Sequence, residues 1–258
     1  MNSIYAVACV VIKEMYRRKD FYVLLILTMV ITLAMGSVHF FNDSKIVRYL
    51  KELCLLLIWV SSLVIAVSTM ARQMHAEKES RTIFPLLAKP ISRSQLLLGK
   101  FLGCWLACGI ALVCFYLFFG VITASRGDFH WLNYLQAAVL HWIMLAVVVA
   151  LTLLGSLVFT APSSNGTICF ILAGGELVIG QHLHKVALRM SEPGQALLTW
   201  VYYAIPHLEL FDVQELIIHD WPAIEWLKFG AAVLYAMVYA GLFLAAACLI
   251  FQRKALNK

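Results

Sequence analysis

Charged residues are scarce in this chain. Of its 258 residues only 13% are Asp, Glu, Lys or Arg, while 62% are hydrophobic and the mean hydropathy is +0.86. A soluble domain usually carries about 25% charged residues, so this composition excludes an ordinary water-soluble protein and indicates a membrane protein. The net charge is +6, but the basic residues cluster at the ends of apolar segments, where they act as topology signals. We therefore expect no nucleic-acid partner.

Several signatures of catalysis are missing as well. The chain contains no GxxxxGK[ST] string, so it builds no phosphate-binding loop of its own. It has no HExxH string, and Gly155-Ser156 lacks the flanking residues of a serine nucleophile elbow. None of the seven cysteines belongs to a CxxC pair, and all lie in apolar segments, where Cys behaves as a small hydrophobe. We expect neither a catalytic site nor a cofactor in this chain.

What the chain does have is a series of long apolar runs. A helix needs about 20 predominantly apolar residues to cross a bilayer. The runs predict an all-α membrane protein with six transmembrane helices in a single domain, 1–258. The predicted spans are 21–41, 53–70, 96–123, 132–159, 167–183 and 223–251.

Six spans place both termini on one side of the membrane. If that side is the cytoplasm, thirteen of the twenty Lys and Arg residues lie on it, which agrees with the positive-inside rule. The predicted outer loop also contains basic residues, which the positive-inside rule disfavours there: Lys45, Arg48 and Lys51. The balance predicts a multi-pass protein of the cell inner membrane with cytoplasmic N- and C-termini.

The first twenty residues predict an interfacial helix rather than a signal peptide. The apolar run starting at Ile4 has no positive charge before it, and a basic cluster follows it, which reverses the order of a signal. The apolar residues of this run share one helical stripe, which is typical of a helix lying in the membrane interface. The stripe consists of Ile4, Val7, Ala8, Val11 and Met15.

Residues 181–222 predict an outer helical segment between the fifth and sixth spans. Its apolar part, 196–205, is about half the length of a span, which suits a short re-entrant or interfacial helix. Asp212 and Glu215 then have the spacing of a capping box and predict the start of a second short helix.

The most unusual stretch is residues 71–100, which we call the polar island. It holds six basic residues and two acidic ones between two long apolar runs. The second span is expected to continue as a helix through Glu79, and the spacing of Ser92 and Gln95 predicts a capping box that starts the next helix. Residues 81–88 would then form a short helix across the end of the bundle. Its apolar face must be covered by lipid headgroups or by another protein.

The residues of the polar island resemble the signature of ABC (ATP-binding cassette) type-2 permeases. These are the membrane subunits of ABC exporters and include the nitrous-oxide-reductase maturation and gliding-motility permeases. The pattern is an acidic-basic-acidic triplet, Thr, a Leu-Leu pair, Pro-hydrophobic-Ser-Arg, and Leu-Gly-Lys. Its positions here are Glu77/Lys78/Glu79, Thr82, Leu86/Leu87, Pro90/Ile91/Ser92/Arg93 and Leu98/Gly99/Lys100. Arg81 stands where the family usually has Gly, and Pro85 is less typical.

The resemblance implies a role for the island and a set of partners. Residues 71–95 resemble the cytoplasmic coupling region that docks a short helix onto a separate ATPase subunit. The residues implied in that interface are Glu77, Glu79, Arg81, Thr82, Phe84, Leu86 and Leu87. The resemblance further implies two copies of an ABC ATPase, which would bind ATP and Mg²⁺. It also implies a second permease subunit forming a homodimer, export as the direction of transport, and a candidate periplasmic or lipoprotein accessory protein.

Three further residues are candidates for function. Glu176 is the one carboxylate in the middle of a predicted span. Because a charge there costs about 2.5–3.5 kcal/mol on insertion scales, it is a candidate for a transport pathway, or else a protonated Glu bonded to a neighbouring helix or one nearer the interface. His182 and His184 are weak candidates for metal ligands. Residues two apart on a helix do not share a face, however, and no third ligand lies close in sequence.

Two other classes of function compete with a transporter subunit. A haem-binding redox protein would need facing His residues at membrane depth, and only His141 lies in the middle of a span. A stand-alone channel or membrane anchor would work without any ATPase partner. Co-purification with an ATPase separates both of these from the permease.

Overall fold

The computed structural model describes residues 3–17, 19–37, 44–79, 92–124, 130–187, 205–219 and 221–253. Within these ranges all regular structure is helical. The long helices are α1 (Ser3–Arg17), α2 (Lys19–Ser37), α3 (Ser44–Glu79), α4 (Arg93–Ala124), α5 (Trp131–Val158), α6 (Pro162–Ala187) and α8 (Trp226–Arg253). Between α6 and α8 lie a 3-10 helix (Leu208–Phe211) and the short α7 (Gln214–Ile218).

Four of the predicted spans are confirmed as helices that are long and apolar enough to cross a membrane. In the described residues these are Lys51–His75, Arg93–Ala124, Trp131–Val158 and Trp226–Arg253. The predicted first and fifth spans, 21–41 and 167–183, coincide with α2 and α6 as far as the structure describes them. The all-helical fold is thus confirmed, and the count of six crossings stays a prediction.

Helix α3 is longer at its beginning than the sequence predicted. It starts at Ser44, so the residues expected to form an outer loop, among them Lys45 and Arg48, continue the helix. The prediction failed because charged side chains end an apolar span without breaking a helix: Lys and Arg are good helix formers. At its other end α3 runs to Glu79, as predicted.

Helix α5 forms the centre of the bundle and packs against α3, α4, α6 and α8. All residues from Ile143 to Ala150 are buried, so this part of the helix is enclosed on every side. Its sequence is apolar around the whole circumference, which is the pattern of a helix surrounded by others. Helices α1 and α2 form an outer layer, with α1 on α4 and α2 on α3 and α4.

Helix α1 packs along α4, with glycines at the contact. The predicted apolar stripe is confirmed in that Ala8, Val11 and Met15 are buried. A Cβ added to Gly99 would lie 2.7 Å from the Cβ of Val7, and one added to Gly103 would lie 2.7 Å from that of Val11. The glycines therefore allow an approach that no larger residue would permit. The apolar stripe of α1 therefore packs against α4. Its spacing alone would fit a helix that faces lipid equally well.

Side-chain amides of α5 bind the described end of the outer segment, residues 205–219 and 221–222, and the residues that follow it. Asn133 donates through Nδ2 to the carbonyl oxygens of Trp221 at 2.8 Å and Leu216 at 3.3 Å. Gln136 donates to the carbonyl of Ile224 at 3.0 Å and accepts from its N–H at 2.9 Å. Phe211 and Ile217 are buried, so the segment covers this end of the bundle. Such amide–backbone bonds satisfy groups that have no water partner at membrane depth.

Two predictions about the outer segment have different outcomes. The short helix expected near Val213 exists as α7, but Asp212 and Glu215 form no capping box, and that prediction was wrong. Asp212 accepts a hydrogen bond from the N–H of Gln214 at 3.2 Å, and Val213 precedes the helix without a side-chain cap. Asp favours bonding to a backbone N–H two residues ahead, which competes with the cap geometry. The apolar stretch 196–205 lies outside the described residues, apart from Ile205.

The glycine contact between α1 and α4 generates a stability prediction. We expect Gly99→Val to destabilise the protein by about 1–3 kcal/mol, because its Cβ would meet Val7 and the carbonyl of Ile4 within 3.0 Å. Gly241→Ala is the control, since a Cβ there meets nothing within 4 Å and Ala favours helix. Denaturant unfolding in mild detergent measures both. Equal stabilities would show that α1 is not tightly held on α4.

Candidate functional site

The polar island connects two helices that lie side by side at one end of the bundle. The predicted capping box at the start of α4 is confirmed: the N–H of Ser92 donates to Gln95 Oε1 at 3.1 Å, and the N–H of Gln95 donates to Ser92 Oγ at 3.2 Å. Two backbone donors without helical partners are satisfied in this way. The beginning of α4 is therefore fixed immediately after residues 80–91, which lie outside the described residues.

A buried lysine, the last residue of the polar island, joins these two helices two turns into α4. Lys100 is fully buried, and its Nζ donates to the backbone carbonyl of Gln73 on α3 at 3.0 Å. The side chain of Gln73 donates in turn to Glu14 of α1 at 3.2 Å. Burying an ammonium group is costly without such partners, so the contact holds α1, α3 and α4 at one relative position.

Arg93, the first residue of α4, holds the end of α8. Its guanidinium donates to the carbonyl oxygens of Phe251 at 3.0 Å and Gln252 at 3.3 Å, and lies 5.7 Å from the ring centre of Phe251. Carbonyls in the last turn of a helix have no partner within the helix, and a cation satisfies them well. Four helices thus meet around the first turns of α4. We call this the island end of the bundle.

The structure places only part of the predicted interface. Glu77 and Glu79 lie on the last turn of α3, where the backbone is helical and the side chains are outside the description. Arg81, Thr82, Phe84, Leu86 and Leu87 lie outside the described residues altogether. The structure does fix the two helix ends that flank residues 80–91 in sequence, which are the end of α3 and the start of α4.

A groove separates α3 from α6 at the island end. It has a volume of about 550 Å³. The register of the two helices follows from three contacts: His75 Nε2 lies 3.2 Å from the carbonyl of Phe159, Gly166 lies against Ala71, and Gly174 lies against Leu63. The helices therefore run antiparallel. Arg72 and Ser163 lie at the island end of the groove, and Phe170 lies deeper along it.

Glu176 lies beside the outer segment, on the third helical turn beyond Thr167. Its Oε1 is 3.9 Å from His207 Nδ1, and its side chain is 9% exposed. The carboxylate of Glu209 is close enough to repel it, and Glu209 Oε2 is buried without a hydrogen-bond partner in the described residues. Tyr235 stacks on His207 and accepts a hydrogen bond from its backbone N–H at 2.9 Å. Glu176 is thus associated with the outer segment and lies far from the groove's island end.

The histidines offer little for a metal or a haem. His182 and His184 lie on α6, where only the backbone is described, and the described residues hold no group of three or more His, Cys, Asp or Glu able to bind a metal. His141 is fully buried, and its ring stacks on Trp59 at 4.3 Å. Its Nε2 bonds to Ser62 at 2.8 Å and its Nδ1 to Tyr116 at 3.4 Å. Both ring nitrogens are therefore occupied within the protein.

Sequence reasoning missed several polar residues that connect helices. They include Lys100, Asn133, Gln136 and His141. Each is a polar side chain within or at the end of an apolar run, and that is the signal that could have identified it: such residues rarely face lipid. The partners, however, lie between 25 and 88 residues away in sequence, and no spacing rule points to them.

The surroundings of Glu176 generate a second prediction. We expect Glu176→Gln to raise the free energy of unfolding in detergent at pH 8 by about 1 kcal/mol, because it removes a largely buried charge that is repelled by Glu209. Glu225→Gln is the matched control, since Glu225 is exposed and pairs with Lys228 at 3.2 Å, an ion pair worth at most about 1 kcal/mol. A clear loss of stability in Glu176→Gln would instead mean that the carboxylate accepts a bond the fold requires.

Comparison with known proteins identifies one family. No curated protein matches the chain. The family model described as "ABC-2 family transporter protein" matches residues 31–256, which is nearly the whole chain. This range includes the last turns of α2, helices α3–α8, the polar island, the groove and the outer segment. The chain belongs to the ABC-2 transporter family and is a membrane permease component of an ABC transporter.

Proposed function

We propose that this chain is the permease half of an ABC exporter and that force from ATP hydrolysis enters through the polar island. One observation carries the proposal. The two helices flanking residues 80–91 are fixed to each other at the island end by Lys100, and α4 starts there with a reciprocal cap. A short segment held between two linked helices can transmit a displacement to both. An unattached loop would absorb it.

The proposed topology has six crossings. Helices α2 and α6 contain 19 and 26 residues, and at 1.5 Å per residue even the shorter one approaches the thickness of the hydrocarbon core, about 30 Å. With these two added to the four spans above, the protein crosses the cell inner membrane six times. Both termini and the polar island then face the cytoplasm. Export as the direction is a family-level inference.

The proposed assembly contains two permeases and two ATPases. Each ATPase subunit would bind ATP and Mg²⁺, because the permease has no phosphate-binding loop. The apolar part of helix α8 is mostly exposed, with only 17% of its residues buried in the protein. A second permease subunit or lipid must therefore cover this helix. A homodimer is the simplest arrangement, and a periplasmic or lipoprotein accessory would act at the opposite end.

The proposed path of force starts at Glu77, Glu79, Arg81, Thr82, Phe84, Leu86 and Leu87. The apolar members would seat in a groove of the ATPase, and the charged ones would surround them, as in interfaces with an apolar core and a polar rim. Closure of the ATPase pair would then move residues 81–88 and, with them, the ends of α3 and α4. Gly99 and Arg93 support transmission to α1 and α8, which contact α4 in its first turns.

The double variant Leu86→Asp/Leu87→Asp tests the docking role. We expect it to abolish transport-coupled ATPase activity and retention of the ATPase in an affinity pull-down, because two charges in an apolar seat cost several kcal/mol. Membrane insertion should be unchanged. The control is Leu210→Asp, an exposed leucine on the outer segment. Full activity in the double variant would refute docking through the island, and a chain that never retains an ATPase would favour a channel or an anchor.

Lys100→Met tests transmission separately from docking. Met keeps most of the buried volume and removes the bond to Gln73, so we expect the ATPase to remain bound while transport falls about tenfold or more. The measurements are co-purification and transport in proteoliposomes, run on the same preparations. Val113→Met, at an exposed position on α4, is the control. Normal transport in Lys100→Met would show that the link between α3 and α4 is not needed.

A further inference from the structure

The groove between α3 and α6 has two different ends. Its described lining residues form one stripe on each helix. On α3 they are Val64, Val67, Ser68, Ala71 and Arg72, and on α6 they are Pro162, Ser163, Gly166, Thr167 and Phe170. Because the helices are antiparallel, Arg72 and Ser163 share the island end, while Val64 and Phe170 share the deeper end. The distance from one end to the other is about 12 Å, or eight residues of helix.

The island end of the groove is suited to an anion. Arg72 is exposed there, and its guanidinium has five N–H donors, enough for a phosphate oxygen beside contacts within the protein. Helix α6 begins at Pro162, so the N–H groups of its first turn also point toward this end. The described lining contains no Asp or Glu. A cation would therefore find no counter-charge among these residues.

The deeper end of the groove is suited to a hydrocarbon chain. Val64, Val67 and Phe170 line it, and Phe170 is 37% exposed. Ser163, Thr167 and Phe170 are all exposed and lie on one face of α6 at spacings of four and three residues, so the groove is open on that side. A molecule in the surrounding membrane can reach it without crossing the protein.

We propose that this groove binds one phospholipid with an anionic headgroup from the membrane leaflet at the island end. The headgroup phosphate lies at Arg72 and the start of α6, and one acyl chain lies along Val64, Val67 and Phe170. Basic pockets between transmembrane helices are known to hold such headgroups. The site shares Ala71 and Arg72 with the first turn of the polar island, and it does not depend on the proposed ATPase contact, which involves residues 77–87.

Native mass spectrometry of the full-length chain tests the site. The delipidated protein in mild detergent is titrated with phosphatidylglycerol and with phosphatidylcholine of the same acyl chains. We expect one saturable phosphatidylglycerol site and about fivefold weaker binding of phosphatidylcholine, the ratio expected for one Arg at a membrane surface. Equal affinity for the two lipids, or no saturable binding, overturns the proposal.

Matched variants separate the headgroup contact from the chain contact. Arg72→Gln should weaken phosphatidylglycerol binding about fivefold and phosphatidylcholine binding by less, because the choline cation offsets the charge of its phosphate. Arg17→Gln, at an exposed arginine on α1, should change neither. Thr167→Trp should fill the groove and weaken both lipids, whereas Ile171→Trp, one turn along at an exposed position, should not. If Arg72→Gln and Arg17→Gln behave alike, the assigned phosphate contact is wrong.

A soluble competitor distinguishes the two sources of phosphate. Glycerol phosphate presents the headgroup chemistry without acyl chains, so we expect it not to displace phosphatidylglycerol at millimolar concentration. Displacement would mean that a free phosphate compound occupies the island end and would overturn the assignment of a lipid. Unfolding curves of every variant, measured in the same detergent, show whether altered binding comes from altered folding.

Discussion

In a bilayer core there is no water to accept or donate a hydrogen bond, and this constraint determines where the chain places its polar groups. The backbone meets it by forming helices throughout the described residues. Side chains meet it in pairs that join different helices. Ser62 and Tyr116 occupy both nitrogens of His141 in the middle of the bundle, and Gln136 exchanges two bonds with the backbone of Ile224. These buried polar side chains thus fix contacts between helices.

The same constraint makes the two ends of the bundle different. At the island end the connecting groups are cations: Lys100 reaches a carbonyl of α3, and Arg93 reaches the last carbonyls of α8. Cations suit helix C-terminal carbonyls, and their long side chains span the gap between helices. At the opposite end the connections are amides from Asn133 and Gln136, which fix the outer segment as a cover. The charged links therefore lie where force is proposed to enter, and the neutral ones where the bundle is closed.

How far the sequence predicted this structure depends on the range of the interactions involved. Local patterns were reliable: the apolar runs located four long apolar helices, and the Ser92/Gln95 spacing correctly predicted a cap, because its two partners are three residues apart. The same spacing at Asp212 and Glu215 failed, since Asp bonded locally to Gln214 instead. The Lys100 link, the groove and the neighbours of Glu176 depend on helices meeting in space, which no local pattern records.

Helix α3 is the element on which the island end and the groove both depend. Through Gln73 it is linked to Lys100 of α4, and the adjacent Arg72 lines the groove. The opposite wall, α6, is held to α5, where Asn165 donates to the carbonyl of Thr152 at 3.1 Å. The two walls of the groove are therefore anchored by different contacts, since α3 is bonded to α4 as well as to α5. A displacement that moves α3 with α4 while α5 and α6 remain together must change the width of the groove, so a lipid there would sense the state of the transporter.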